Sequence, residues 1–328
     1  VGFRALRVFD AAGGVAARLV EMEVEALTAG EVVIRASHSG INYKDALAVT
    51  GRGRILKRLP LNAGIDVAGV VETSTDSRFA AGDAVLVSGA GLGESLDGGF
   101  AERVRVPAEI VVPLPQGLSA SEAMALGTAG FTAALCLHRM EENGQAPAAG
   151  PVVVTGASGG VGTIATALFA ARGYEVIAVS GREEHHALLR ELGAMETTTP
   201  AALGLGSRPL ESGRFAGVVD NVGGELLAAL VRHVKPWGNV AVVGNAGGVE
   251  LHTTVFPMIL RGVSLLGVSS TNCAMALRTA LWNRLGGEWK PRGLARVVTA
   301  EIPLAESLPA FESLLERRSH GRTVVRLG

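Results

Sequence analysis

The stretch Val152–Gly162, VVVTGASGGVG, sets most of what this chain can fold into. Four residues suited to a buried strand, Val152, Val153, Val154 and Thr155, run into a glycine-rich turn, and the turn runs into an apolar, helix-compatible segment, Thr163 to Arg172. Within the turn, Ala157, Gly159 and Gly162 keep the G/A-x-G-x-x-G spacing of a dinucleotide fingerprint, with Gly160 as an extra glycine. Gly159 lets a pyrophosphate approach the backbone, and Gly162 lets the helix pack on the strand. The amides at the helix start, with the positive end of its dipole, suit an anion. A glycine-rich turn between strand and helix can be no more than a tight turn. Here the flanking strand and helix are both legible, which favours the binding reading.

Beyond the fingerprint the alternation is regular. Strands are predicted at Tyr174 to Ser180, Phe215 to Asp220, Asn239 to Gly244 and Val263 to Val268, with helices at Glu183 to Leu192 and Gly224 to Val234. Strands alternating with helices over more than a hundred residues imply an α/β fold with a doubly wound parallel sheet and ligands at the strand C-terminal ends. Before the fingerprint the pattern differs. Glu31 to Ser37, Val67 to Thr73, Ala84 to Ser88 and Ala101 to Pro107 are β-branched segments bounded by Gly, Asp or Pro, the pattern of a β-rich domain. Ser119-x-x-Glu122 has the form of a capping box and opens an apolar helix out of that region. The tail from about Asn272 holds a helix (Ala274 to Leu285), a strand (Val297 to Ile302), a helix (Leu304 to Arg317) and a last strand (Arg322 to Leu327). It is expected to return to the first domain.

Composition narrows the class. At 328 residues and 48% hydrophobic, the chain can fill two cores. Thirty basic and 31 acidic residues leave a net charge of −1, so neither nucleic acid nor an acidic membrane is expected as a partner. Cys136 and Cys273 stand far apart without ligand spacing, which argues against a disulfide framework or a structural zinc and fits a reducing, cytoplasmic setting. No secretory signal is expected from VGFRALRVFD, and the apolar run Ala123 to Leu137 falls short of the ~18–20 residues that span a bilayer.

Two further stretches carry candidate chemistry. The second strand of the α/β part ends in Ser180-Gly181-Arg182, with no acidic residue at 179–182. An acidic residue there would take a ribose 2′-hydroxyl, whereas a serine and an arginine suit a 2′-phosphate, so NADPH/NADP+ is the expected cofactor. Early in the chain, Asn42-Tyr43-Lys44-Asp45 follows a hydrophobic strand, and Tyr43 is one of only two tyrosines. Such a cluster is a candidate active-site loop, and equally a helix start with Tyr43 half buried. The run RGRILKR after it reads first as a solvated basic face. It gains meaning if the substrate carries phosphates, as coenzyme A does.

At this point the chain resembles a known family. NYKDAL (within Gly40 to Leu47), AGIDVAG (Ala63 to Gly69), GTAGFTA (Gly127 to Ala133), TGASGGVG, SGR and the final Gly321-Arg322-Thr323 together resemble the medium-chain dehydrogenase/reductase superfamily. Within it they resemble the zinc-free, quinone-oxidoreductase-related branch that contains the NADPH-dependent acryloyl-CoA reductases. The resemblance covers essentially the whole chain. It implies a GroES-like catalytic domain (1–121 and 272–328), a Rossmann NADP-binding domain (122–271), a cofactor in the cleft and a homodimer. It further implies that Tyr43 and Asn42 are catalytic, and that Tyr43, Ser158, Gly159, Gly160, Val161, Ser180, Gly181, Arg182, Asn245, Leu266, Ser269 and Arg322 bind the cofactor. Arg52, Arg54, Lys57 and Arg58 are the candidates for CoA phosphates.

Zinc alcohol dehydrogenases carry a metal cysteine where Asn42 stands, and Gly-His-Glu where Gly64-Ile65-Asp66 stands, so no catalytic metal is expected. His185-His186 is expected on an exposed helix. The reaction implied is reduction of the C=C bond of acryloyl-CoA to propionyl-CoA. A quinone or enone oxidoreductase on the same scaffold, or a non-catalytic NADPH-binding protein, are the alternatives.

Overall fold

The computed structural model describes residues 2–328. The chain divides into two compact units, one of Val1–Ala129, Ser270–Gly287 and Val297–Gly328, the other of Gly130–Ser269 and Glu288–Arg296. The first boundary lies eight residues beyond the 121 expected from sequence, and the short segment Glu288–Arg296 joins the second unit rather than the first.

In the first unit, strand Val32–Gly40 buries Val32, Ile34 and Ala36 and exposes Arg35, the period-two pattern of a sheet with one face on a core. It pairs antiparallel with Asp66–Ser74, which pairs in turn with Ala84–Ser88. The tail completes this sheet. Strand Arg322–Arg326 lies antiparallel to Val32–Gly40, with Val324 opposite Gly40, and parallel to Val298–Pro303. The intervening helix Ser307–Leu315 places Phe311 edge-on to Phe100, with ring centroids 5.4 Å apart in the core. The return of the tail is thus driven by burial of its apolar face. A separate hairpin, Phe3–Ala11 with Gly14–Met22, carries the short strand Leu61–Asn62 on its other side.

Helix Ala120–Glu142 is long and apolar enough to cross a membrane by length and composition, yet most of its apolar window is buried within the fold. It is broken at Gly127 (φ 49°, ψ −154°). A Cβ at that position would stand 2.6 Å from Asp66 Oδ2 and 2.9 Å from Arg322 Nη2, so only glycine fits both the dihedrals and the space.

The second unit is a six-stranded parallel sheet. Its order is Glu196–Thr198, Val176–Val179, Val152–Thr155, Phe215–Asp220, Val234–Val242, Ser264–Gly267. Every residue of Val152–Thr155, Val176–Val179 and Phe215–Asp220 is buried, as expected of strands covered on both faces. The order reverses between the fingerprint strand and Phe215–Asp220, so the crevice of a doubly wound sheet opens there, at the strand C-terminal ends. The three-residue edge strand Glu196–Thr198 is too short to show a pattern in sequence.

Several helix bounds differ from expectation. The fingerprint helix begins earlier, at Gly160 (Gly160–Ala171), because its glycines tolerate helical geometry. The expected helix from Glu183 is a 3-10 turn, Glu183–His185, followed by only His186–Glu191.

Candidate functional site

Because the strands of the second unit run parallel, the turns after them collect along one edge of the sheet. The fingerprint turn follows Val152–Thr155, Ser180-Gly181-Arg182 follows Val176–Val179, Asn245 follows Val234–Val242, and Ser269 follows Ser264–Gly267. Sequence alone could not show that these four turns are neighbours.

The fingerprint turn has the form of an anion cradle. Helix Gly160–Ala171 is capped by Gly159 without a side-chain bond, and its first i→i−4 bond runs from Thr163 N–H to Gly159 O at 2.9 Å. The amides of Gly160, Val161 and Gly162 precede that bond, at the positive end of a twelve-residue helix. A Cβ on Gly159 would meet only Gly156 O, at 3.3 Å, whereas one on Gly162 would sit 2.3 Å from the same oxygen and 2.6 Å from Ala157 Cα. Gly162 therefore serves packing, and Gly159 leaves open space.

Ser158, from this turn, reaches the next one. Ser180 Oγ donates to Ser158 Oγ at 3.0 Å, Arg182 Nη2 donates to the same oxygen at 3.1 Å, and Arg182 N–H donates to Ser180 Oγ at 3.2 Å. Two hydroxyls and a guanidinium are thus assembled without an acidic side chain among them, a donor set that suits a phosphate monoester. His186, expected to face solvent, instead bonds through Nε2 to Ser180 O at 3.2 Å, and the side chain of its neighbour His185 is only 13% exposed. No sequence signal marked either contact.

A second clamp was also missed. Asp220, fully buried at the end of its strand, accepts from Thr155 Oγ1 and from Gly223 N–H, both at 2.7 Å. Burial raises its pKa against these two donors. Asn221 then donates from its N–H to Thr155 Oγ1 (2.9 Å) and from Nδ2 to Thr155 O (2.8 Å), tying the fingerprint strand to its neighbour at the crevice. The visible clue is an apolar strand, FAGVVD, that ends in a carboxylate. Asn245 and Ser269 are exposed, and Leu266 is partly buried in the edge strand.

In the first unit, Tyr43 opens helix Tyr43–Thr50 and is 48% exposed. The cluster is therefore a helix start and an accessible loop at once. Asn42 N–H donates to Asp45 Oδ2 at 2.9 Å, closing the first turn, and Ile65 N–H donates to Asp45 Oδ1 at 2.9 Å. Lys44 reaches Glu94 Oε1 (2.8 Å) and Thr271 Oγ1 (3.1 Å).

Behind Tyr43 lies a buried ionic network. Asn42 Nδ2 donates to Asp66 Oδ2 at 2.7 Å, and Asp66 also accepts from Thr128 N–H and Thr128 Oγ1, each at 2.7 Å. Arg322 Nη1 donates to Asn42 Oδ1 (3.1 Å) and Ile41 O (2.8 Å), and its Nε to Ala125 O (3.0 Å). Arg322, expected to face the cofactor, is 3% exposed, and its guanidinium is spent on these internal acceptors. Asn42, expected to be catalytic, is likewise buried and held by Asp66 and Arg322. Both side chains support the loop rather than line an open surface. Asp45 is pushed up to about 7, first by burial and then by the charge of Asp66.

The four basic candidates separate. Arg52 pairs with Glu312 at 3.2 Å, and Arg58 bonds Ser95 O at 3.3 Å and approaches Asp97 at 3.6 Å. The side chains of Arg54 and Lys57 are exposed and bond no other described residue.

Comparison with known proteins matches residues 28–116 to the alcohol dehydrogenase GroES-like domain and residues 160–284 to the zinc-binding dehydrogenase family. The chain is 45% identical to YhfP of Bacillus subtilis, named as a quinone oxidoreductase, over 99% of both chains. It is 40% identical to the acrylyl-CoA reductase AcuI of Ruegeria pomeroyi over 96% of both. The solved structure of the yhdH oxidoreductase of Salmonella enterica in complex with NADP superposes with a TM-score of 0.95 at 44% identity, covering 99% of this chain and 100% of that one. YhfP, solved with NAD bound, superposes at 0.97 over the full length of both. The chain belongs to the medium-chain dehydrogenase/reductase family, AcuI type. It is an oxidoreductase with the GroES-like and Rossmann domains of that family.

This family member departs from the zinc-binding description in its donors. Asn42 already donates from its amide nitrogen to Asp66 and accepts at its oxygen from Arg322, and Ile65 has no lone pair to offer. The residues at these positions do not fit a zinc site, which takes thiolate, imidazole and carboxylate ligands.

Proposed function

We propose that this chain reduces the C=C bond of acryloyl-CoA to propionyl-CoA with NADPH, by a metal-free conjugate reduction. The observation that carries the reading is the Asn42–Asp66–Arg322–Thr128 network, whose hydrogen-bonding groups satisfy one another where zinc members of the family place their metal. Without a Lewis acid at the carbonyl, an acceptor that spreads charge into an enolate is favoured over a simple ketone. The identity to AcuI supports the thioester as that acceptor.

Bound NADPH supplies a hydride to the β-carbon of the substrate. Ser158, Ser180 and Arg182 hold the 2′-phosphate, and the amides of Gly160, Val161 and Gly162 hold the pyrophosphate across Gly159. Gly181 lies within the same turn, and Asn245, Leu266 and Ser269 border the nicotinamide. Tyr43 donates a hydrogen bond to the thioester oxygen as it gains charge, and the resulting enolate takes up one proton from solvent at the α-carbon, completing addition of one hydride and one proton. Asn42 acts through the helix start, holding Tyr43 in place. Arg54 and Lys57 take the CoA phosphates.

Two copies pair along the edge strand Ser264–Gly267, as a homodimer. Beside that open edge the second unit exposes Ile259 (67%), Leu260 (63%) and Trp237 (81%), an apolar group that invites a partner.

The test is NADPH oxidation with acryloyl-CoA, crotonyl-CoA, free acrylate and a benzoquinone in parallel. Turnover on acryloyl-CoA, lowered at least ~100-fold in kcat by Tyr43→Phe, is the expected result. Turnover on the quinone but not on the thioester assigns a quinone oxidoreductase, and NADPH binding with no turnover assigns a cofactor-binding protein.

A further inference from the structure

The donor set around Ser180 is fixed from four directions. Ser180 N–H donates to Thr198 O at 2.9 Å, its hydroxyl joins Ser158 Oγ and Arg182 N–H, and its carbonyl oxygen meets His186 Nε2 at 3.2 Å. The acceptor in the last contact is a carbonyl, so Nε2 carries the proton. In a trans peptide the C=O and the following N–H point in opposite directions. Holding the Ser180 carbonyl toward His186 therefore turns the Gly181 N–H the other way. The Ser180 hydroxyl braces the same turn from the other side, accepting from Arg182 N–H at 3.2 Å and approaching Arg182 O at 3.4 Å, while the bond from His186 is the one on the Ser180 carbonyl itself. Gly181 is exposed, no atom of a described residue other than its two chain neighbours lies within 4 Å of where its Cβ would stand, and its N–H has no acceptor among the described residues.

We propose that His186 is a positioning residue for cofactor selection. It holds the Ser180–Gly181 peptide so that the Gly181 N–H joins Ser180 Oγ and Arg182 as a donor to the 2′-phosphate, and thereby strengthens the preference for NADPH over NADH. The proposal rests on the NADPH reading above. Without the imidazole the Ser180 carbonyl loses its one bonded donor and only the Ser180 hydroxyl contacts to Arg182 brace the peptide, so it turns more readily, which withdraws a donor and brings a carbonyl oxygen toward a group that only accepts. His186 itself need not touch the phosphate.

The experiment measures dissociation constants of NADPH and NADH by the fluorescence of bound reduced nicotinamide, for the wild type, His186→Ala and His186→Gln. Loss of one charge-assisted bond predicts a rise of ~10-fold in the NADPH constant for His186→Ala, with the NADH constant within ~2-fold of wild type. His186→Gln, whose amide nitrogen can reach the same carbonyl, restores the NADPH constant to within ~3-fold of wild type. An equal rise for both cofactors marks a structural role and overturns the proposal, as does an unchanged NADPH constant in His186→Ala. A wild type that binds NADH as tightly as NADPH overturns the cofactor reading itself and the proposal with it.

Discussion

Replacing Gly162 and Gly159 in turn with alanine separates the two tasks of the fingerprint. A methyl at Gly162 would stand 2.3 Å from Gly156 O, 2.6 Å from Ala157 Cα and 2.9 Å from Ala157 C, all of them backbone atoms. Relief requires the helix and the turn to part by about 1 Å, since ordinary contacts begin near ~3.4 Å. Overpacking of this kind costs about 3 kcal/mol, the upper end of the usual range. For a cooperative unit of this size that lowers Tm by about 6–12 °C. Gly159→Ala meets a single atom at 3.3 Å with an ordinary φ of −83°, so its Tm stays within about 2 °C of wild type. Its methyl, however, occupies the approach to the amides of Gly160–Gly162. Loss of one charge-assisted contact there, at about 1.5–3 kcal/mol, raises the NADPH dissociation constant ~10- to 100-fold. Differential scanning calorimetry and cofactor titration on the same preparations check both halves. A Gly159→Ala protein that melts as early as Gly162→Ala, or that binds NADPH like the wild type, refutes the division.

Two other expectations follow from buried charge and exposed apolar surface. Asp45, whose folded pKa of about 7 lies above its ordinary value of 3.8, holds its proton longer in the folded state. Its contribution to stability is full below about 4 and is lost as pH rises through about 7, so Tm should decline between about pH 4 and pH 7 and level off above that. Asp45→Asn removes that part of the slope, although it lowers Tm at every pH by leaving one of the two N–H donors unmatched, and an unchanged slope would exclude Asp45 as its source. At the sheet edge, Ile259→Asp with Leu260→Asp should convert a dimer to a monomer in light scattering. A mass unaltered by both substitutions would place the dimer contact elsewhere.

The strand–turn–helix of the fingerprint was legible because each of its signals is local: β-branched residues, glycines at fixed offsets, then an apolar helix. The same holds for Ser180-Gly181-Arg182, where the absence of a carboxylate is itself a readable feature. Roles that depend on what lies opposite in space were read less well. The family resemblance puts Arg322 on a cofactor-facing strand. The pairing of Arg322–Arg326 with Val32–Gly40 puts it instead against Ile41, Asn42 and Ala125, where burial leaves its charge no solvent to face. Helical periodicity over Glu183–Leu192 predicts a solvent-facing His186. The 3-10 turn at Glu183–His185 rotates the helix start and brings the imidazole onto Ser180.

The sequence by itself determined the two-part α/β plan, the dinucleotide turn, the lack of thiolate and imidazole at the family's metal positions and the placement of Tyr43 at a polar helix start. These follow from residue chemistry and short-range spacing, which act before any long-range contact forms. Only the tertiary structure decided that Asn42, Asp66, Thr128 and Arg322 close on one another, and that Ser158, Ser180, Arg182 and His186 join in one hydrogen-bonded cluster. Those groups are separated by up to 280 residues, and their hydrogen bonds exist only once the sheets have set the register that brings them within 3 Å or so.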